Sequence, residues 1–446
     1  MRLTVSRTIC LGFLIMITLG TVLLLLPFST TEPGWNNPLV ALFTATSAVC
    51  VTGLVVVDTG TYFSPLGQGI IVALIQLGGL GYMTATTFLL LLLGRRLGLR
   101  ERIAVSQSMD SDELSGARNL VVSVISMTLL FELTGAFLLM PVFIPDYGPT
   151  SGIGLSLFHS VSAFNNAGFS PFADNLIGYA SSLWLNLVIT GLVIFGGIGY
   201  EVIMEAFIWG RDRLQGHRET RIFSLHLKIV IVTTLILLLL GTVGLLATEY
   251  NNPATLGDEP LGTKLIMAWF QSVITRTAGF NSIDIGAMSD TSLFIMVALM
   301  FIGASPGSTG GGIKTTTLGI LFACTRMVLQ GKQEVLIFQR EIPPSRLAKA
   351  VAVVFGSIFV VIIITALISR FDPQFSFIQL LFETVSGFAT VGLSTGITAS
   401  LSPISQLLII STMYIGRVGV LLLMAALLGD PKPTAVRYPE EDLLVG

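Results

Sequence analysis

The sequence predicts an all-α membrane protein with eight transmembrane helices plus four re-entrant pore helices, organised as four pseudo-repeated helix–pore loop–helix units around one central pore. Three observations predict it. The 446-residue chain is 52% hydrophobic and 11% charged, where soluble domains carry roughly 25% charge, and so little charge cannot cover a water-facing surface. Its apolar runs repeatedly reach the ~20 residues that cross a ~30 Å hydrocarbon core. One phrase recurs four times at near-equal spacing.

Spans are expected at 8–27, 67–93, 119–144, 180–209, 226–247, 290–327, 348–369 and 403–428. Arg2 and Arg7 precede the first, as in a secretory signal. A signal core is only about 7–15 residues and leads into a small-residue cleavage site; the first run is therefore expected to stay as an anchor. Cytoplasmic loops collect Lys and Arg. Of the 24 basic residues, all but Lys264, Arg276, Lys314, Arg370 and Arg417 fall near the termini or in the segments 95–118, 211–228 and 326–349. Those segments and both termini are expected on the cytoplasmic side of a cell's inner (cytoplasmic) membrane. The acidic residues Glu32, Asp58, Asp146, Asp174, Asp258, Glu259 and Asp284 mark the other side.

The phrase runs from Leu42 to Leu54, Leu157 to Phe169, Trp269 to Phe280 and Leu381 to Leu393. Phe43, Phe158, Phe270 and Phe382 stand ten residues before a glycine, or nine in the third copy, and the glycines Gly53, Gly168, Gly279 and Gly392 are separated by 115, 111 and 113 residues. The corresponding units are 1–94, 95–210, 211–330 and 331–428, followed by a short tail, 429–446. Each phrase closes an apolar segment too short to cross, which fits a re-entrant helix. Irregular backbone survives at membrane depth only when buried in protein or lining a watery cavity, and four such loops meeting on one axis would supply that cavity. A glycine at each loop end allows φ > 0, so the chain can turn carbonyls inward to replace the hydration shell of a potassium ion. The preceding helix aims its negative end the same way. The competing reading, glycines that merely let helices pack closely, does not explain four copies at one spacing.

Val51-Thr52-Gly53-Leu54, Asn165-Asn166-Ala167-Gly168-Phe169, Thr275-Arg276-Thr277-Ala278-Gly279-Phe280-Asn281 and Ala389-Thr390-Val391-Gly392-Leu393 resemble the four pore loops of the Ktr/Trk/HKT superfamily, in its KtrB branch of potassium-uptake subunits. The resemblance covers about 8–428. It implies potassium uptake, with the ion meeting Cys50, Val51, Thr52 and Gly53, Asn165 through Gly168, Arg276 through Gly279, and Ala389 through Gly392. Cys50 departs from the threonine expected there, and Gly53 stands where a serine goes with sodium permeation. Arg276 is expected to brace its loop rather than touch an ion, and Glu383 to brace the fourth from outside.

The returning helices are expected to be continuous except the third, where Gly303, Pro306, Gly307, Gly310, Gly311 and Gly312 cannot continue a helix. Ile313 before Lys314 breaks the phosphate-loop pattern G-x-x-x-x-G-K-[ST]. A broken helix at membrane depth lines a cavity, and the resemblance implies an intramembrane gate, 303–317, with Gly310, Gly311, Gly312 and Lys314 at its centre. Arg417, midway along an expected span, costs at least about 2.5–3.5 kcal/mol there unless paired or wetted. A carboxylate, Glu132 or Glu201, is its expected partner, and beneath a cation path it would act as a barrier.

Cys10, Cys50 and Cys324 suggest neither disulfides nor zinc, and His159, His217 and His226 lack ligand spacing. No enzyme is expected, and no organic cofactor or nucleic-acid partner. The competing class is a secondary carrier for another cation or small solute. Sodium is a possible coupling or activating ion. The short loops and tail contain no nucleotide fold, and the resemblance implies a homodimer in membrane lipid above a KtrA-like cytoplasmic ring binding ATP and ADP.

Overall fold

The computed structural model describes residues 4–32, 34–81, 117–216 and 223–429. Three of its helices cross a bilayer unaided on length and composition, α1 (Val5–Leu25), α8 (Leu225–Glu249) and α12 (Pro344–Phe371), as does the apolar stretch of α5 (Ala117–Phe164). Each opens one unit. A short helix follows: α2 (Pro38–Val49), the part of α5 beyond Gly148, α9 (Leu261–Ile274) and α13 (Phe377–Phe388). Gly148 interrupts α5 at φ 77°, so one apolar run supplies both an opening and a short helix. At 1.5 Å per residue, their 12–16 residues give about 18–24 Å, short of the ~30 Å hydrocarbon core.

The returning helices are α4 (Pro65–Leu80), which follows the single turn α3 (Thr59–Tyr62), then α6 (Leu183–Ile198), α10 (Asp290–Phe301) and α14 (Pro403–Val418). All four begin at a serine N-cap. Ser64, Ser182, Ser289 and Ser402 each accept from the amide three residues on, which satisfies one of the orphan donors of a helix start. In the third and fourth units a carboxylate at the end of the opening helix grips that serine. Glu249 accepts from the Ser289 amide at 3.0 Å and hydroxyl at 2.7 Å, and Asp372 from the Ser402 amide at 3.1 Å and hydroxyl at 2.8 Å.

The expected continuity of the second and fourth returning helices does not hold. At Gly199, φ 97°, the chain turns by 103° from α6 into α7 (Tyr200–Leu214), and at Gly419, φ 88°, it turns by 93° from α14 into α15 (Val420–Leu428). α4 also ends on a glycine, Gly81, at φ 79°, beyond which the expected span 67–93 leaves the described residues. The reason is visible three residues earlier. A methyl on Gly78, Gly196 or Gly416 would lie 2.0, 1.9 or 1.7 Å from the carbonyl oxygen of Val49, Phe164 or Phe388 at the end of its unit's short helix. The returning helix is clamped against that end, and the second glycine, in a conformation side chains avoid, turns it aside. In the third unit the break is a loop leading to α11 (Thr315–Leu329). A two-stranded hairpin, β1 (Leu336–Ile337) and β2 (Arg340–Glu341), precedes α12.

The Asp372 clamp gives a testable consequence. Burial by itself raises this carboxyl, but donors from Ser405, Ser402 and Gln374 outweigh it and hold it below the ordinary range. A depressed carboxyl contributes stability that is present above the unfolded value of about 3.9 and is lost as pH falls below it through the folded value. Asp372→Asn is expected to lose about 1.5–3 kcal/mol at neutral pH, the worth of hydrogen bonds to a charged group, and to lose less below pH 4. Thermal unfolding at pH 7 and pH 3.5 measures both; an equal loss at the two values contradicts the assignment.

Candidate functional site

The short helices end alike. In the first, Cys50 caps α2, Val51 takes the left-handed conformation at φ 56°, and the Thr52 amide reaches back to the Ser47 carbonyl at 2.8 Å. The second unit repeats this with Asn166 at φ 59° and Ala167 bonded to Ser162, and the fourth with Thr390 at φ 51° and Val391 bonded to Ser386. This is the helix-ending pattern in which a left-handed residue lets the next amide bond the carbonyl five residues back. In the third unit Thr277 takes φ 66° and Ala278 bonds Ile274, four residues back. That tighter closure accounts for the one-residue shorter phrase. β-Branched Val51, Thr277 and Thr390 are unfavourable in this region, so the conformation is held by its surroundings.

One residue beyond each of these bonded amides, the four glycines form a ring. Gly53, Gly168, Gly279 and Gly392 all have positive φ: 95°, 69°, 72° and 92°. A methyl on Gly53 would stand 2.3 Å from the Ala167 carbonyl oxygen, one on Gly168 2.7 Å from that of Ala278, one on Gly279 2.5 Å from that of Val391, and one on Gly392 2.0 Å from that of Thr52. The sequence of contacts runs from unit to unit and closes on itself. Glycine is therefore required twice at each position, by torsion and by the neighbouring loop. Cys50, Val51, Thr52, Asn165, Asn166, Ala167, Thr277, Ala278, Ala389, Thr390 and Val391 are all fully buried in the ring's walls.

Sequence reading missed the serines that hold the loops. Ser47 Oγ accepts from the Gly53 amide at 3.0 Å, Ser386 Oγ from the Gly392 amide at 3.1 Å, and Ser162 Oγ donates to the Phe169 carbonyl at 2.8 Å. The signal was present, since each stands six residues before its glycine. Glu383 braces the fourth loop as expected, accepting from Ser394 at 2.5 Å, the Thr395 amide at 3.0 Å and Thr398 at 2.8 Å. The Arg276 side chain is buried and lines a small cavity with Thr234, Val273 and Ala304.

Beneath the ring lies the loop between α10 and α11. Ile302 and Ile313 form a parallel bridge, and the Gly303 amide bonds the Ile313 carbonyl at 2.9 Å. The Gly311 amide donates to Thr390 Oγ1 at 3.1 Å, and a methyl on Gly310 would fall 2.2 Å from Thr277 Oγ1. The glycines at 310–312 are thus pressed against the third and fourth pore loops. Lys314 folds back to the Gly310 carbonyl at 2.8 Å. Arg417 has partners other than those expected. Its two terminal nitrogens donate to the carbonyls of Thr309 and Gly78, and Glu132 instead accepts from Asn165 Nδ2 at 2.8 Å. The reason is that Gly78 lies in the last turn of α4, where its carbonyl accepts from the Gly81 amide at 3.1 Å and keeps a second lone pair, and where the helix carries its negative end, so a guanidinium can be satisfied there without a carboxylate. Arg417 thereby ties the loop to the first unit. Below, a cavity of about 1330 Å³ is lined by Gly310, Gly311, Gly312, Lys314, Arg417 and Glu201 among others.

Four short helices ending at one glycine ring, in a chain of membrane-length apolar helices, define a multi-pass membrane protein. The chain belongs to the TrkH family of cation transport proteins, which it matches over residues 9–432. It is 41% identical to the Ktr system potassium uptake protein B of Bacillus subtilis, covering 100% of this chain and 97% of that protein. It is 39% identical to the protein of the same description in Vibrio alginolyticus, covering 99% and 94%. The potassium/sodium uptake protein NtpJ of Enterococcus hirae is 37% identical over 100% of this chain and 98% of its own. The crystal structure of the potassium transporter TrkH from Vibrio parahaemolyticus shares the fold at 18% identity, with a TM-score of 0.71 over 94% of this chain and 83% of that one. These relatives are transport proteins, in agreement with the expectation that the chain is not an enzyme.

Proposed function

We propose that this chain carries potassium into the cell across the cytoplasmic membrane, selecting it with backbone carbonyls of the four pore loops. The observation that carries the reading is the closed ring, in which each glycine abuts the carbonyl of the next loop. Carbonyl rings replace a potassium ion's hydration shell, and the side chains of the four phrases are mostly neutral, Arg276 and Glu383 being the charged ones. Cys50, fully buried at the helix cap, supplies a carbonyl there as a threonine would. The units run 1–94, 95–210, 211–330 and 331–428. The membrane potential drives the ion inward at about 2.3 kcal/mol per charge per 100 mV. The potassium uptake named for the Bacillus and Vibrio relatives supports this substrate, and the name of NtpJ supports a part for sodium. Flux of rubidium, potassium and sodium into liposomes holding the purified chain tests it; rubidium and potassium movement well above sodium is expected, and no cation flux at all overturns it.

The loop 303–317 and Arg417 form the gate, biased by a cytoplasmic ring of nucleotide-binding subunits beneath a homodimer of this chain. A ligand of such a ring shifts the gate only through differential contacts between the two subunits. The basic segments are the docking face. Arg211 and Arg213 are exposed at the end of α7; most of 95–118, all of 217–222 and the tail from 430 lie outside the described residues. Neutralising Arg211, Arg213 and Arg218 together is expected to abolish co-purification with the regulator and nucleotide-dependent flux while membrane insertion persists. Undiminished complex formation after neutralising each segment in turn removes the docking face.

A further inference from the structure

Behind the third pore loop a buried cation stands without a counter-charge. Arg276, three residues before the ring glycine Gly279, is 8% exposed. Its Nε has no hydrogen-bond partner, and no carboxylate among the described residues forms an ion pair with it. A charge taken out of water is costly unless it is paired. The side chain lines a cavity of about 10 Å³, room for one water-sized occupant, between α6, α8 and the end of α9. Ala304, at the start of the loop 303–317, is part of the same wall. So is a second orphan. Thr234 on α8 is 5% exposed and its hydroxyl has no partner. Thr242 and Thr248 of that helix instead turn back to the carbonyls four residues before them, at 2.8 and 3.0 Å.

We infer that this cavity is a binding site for a single small anion, a halide such as chloride, held between the Arg276 guanidinium and the Thr234 hydroxyl. The donor set decides the sign of the occupant. A guanidinium only donates and a hydroxyl can donate, while the other side chains in the wall, among them Val193, Leu238 and Val273, are aliphatic. The Gly197 carbonyl, from the same stretch of wall, already accepts from the Ser305 amide at 3.0 Å. A water would answer the donors and leave the positive charge unbalanced; a halide answers both. The volume decides the size, since one atom-sized occupant leaves no room for phosphate or a carboxylate. One guanidinium balances one negative charge. The occupant would touch both the third pore loop and, through Ala304, the loop beneath it. An empty site would leave a bare positive charge beside the ring, opposing cation entry through the low-dielectric surroundings. Only this last consequence rests on the proposed function.

Binding is tested before flux. The purified full chain in lipid nanodiscs is melted in mixtures of potassium chloride and potassium gluconate at constant potassium, and again with bromide in place of chloride. A saturable rise in Tm with either halide is expected, absent in Arg276→Gln and shifted several-fold to higher concentration in Thr234→Val. Thr234→Val carries the test if Arg276→Gln fails to fold. In crystals grown in bromide, one anomalous peak is expected between the two side chains. A halide response equal in wild type and Thr234→Val overturns the site, as does a bromide map with no peak there, which would mean that water fills the cavity. In liposomes, rubidium entry is expected to be several-fold slower in gluconate than in chloride, and entry equal in the two salts overturns the effect on the ion path. Absence of rubidium entry in both salts defeats the proposed function, while the melting and bromide results still decide the site.

Discussion

Gly392→Ala is expected to lose at least tenfold of the preference for potassium over sodium, and Gly168→Ala the least of the four ring glycines. At Gly392 a methyl would stand 2.0 Å from the Thr52 carbonyl oxygen, against 2.3 Å at Gly53, 2.5 Å at Gly279 and 2.7 Å at Gly168. All four distances are too short for contact, so something must move. What meets the methyl is backbone, which cannot swing away as a side-chain tip can. The residue would also hold a left-handed torsion costing of order 1–3 kcal/mol. In the filter proposed above the strain falls on the carbonyls that hold the ion, and a differential of 1.4 kcal/mol between two ions is already tenfold. Relative liposome flux of potassium, rubidium and sodium reads the effect. Gly191→Ala, where nothing lies within 4 Å, serves as the control. Unchanged selectivity in all four folded variants removes the ring from the ion path.

The second large effect is expected in the opposite direction. Deleting Gly310 to Gly312 is expected to raise potassium flux by about tenfold and to make it insensitive to a regulator. These residues press on Thr277, Thr390 and Ala389 directly below the ring, and no side chain needs to be removed for the path to widen. Arg417→Gln tests the same obstruction without shortening the chain. A glutamine amide cannot donate to both the Thr309 and Gly78 carbonyls from the shorter side chain, so the loop loses its tie to the first unit and the path loses a positive charge. Arg417→Lys keeps the charge as a single point with no planar fork, and it should raise flux less than glutamine does. Wild-type flux in both the deletion and Arg417→Gln would leave the loop as a passive kink.

The sequence by itself determined the membrane class and the fourfold phrase whose glycines meet in the ring. Each depends on composition or on spacing along the chain: apolar length sets what can span, and a repeated phrase marks a repeated unit. It also located the third interruption, because proline and clustered glycines are incompatible with a helix wherever they occur. Gly199 and Gly419 were not recognisable as breaks. An isolated glycine in an apolar run is tolerated in a straight helix, and only the clamp of Gly196 on Phe164 and of Gly416 on Phe388 makes the next glycine a turn. The partner of Arg417 was decided in the same way. Sequence reasoning looked for a carboxylate because charge is legible in residue types, whereas the spare acceptor capacity of a carbonyl in a helix's last turn or in a loop is not. The left-handed Val51, Asn166, Thr277 and Thr390 belong to tertiary structure most fully. Their residue types argue against that torsion, and it persists because the helix closure before each and the neighbouring loop beyond it leave the chain no other course.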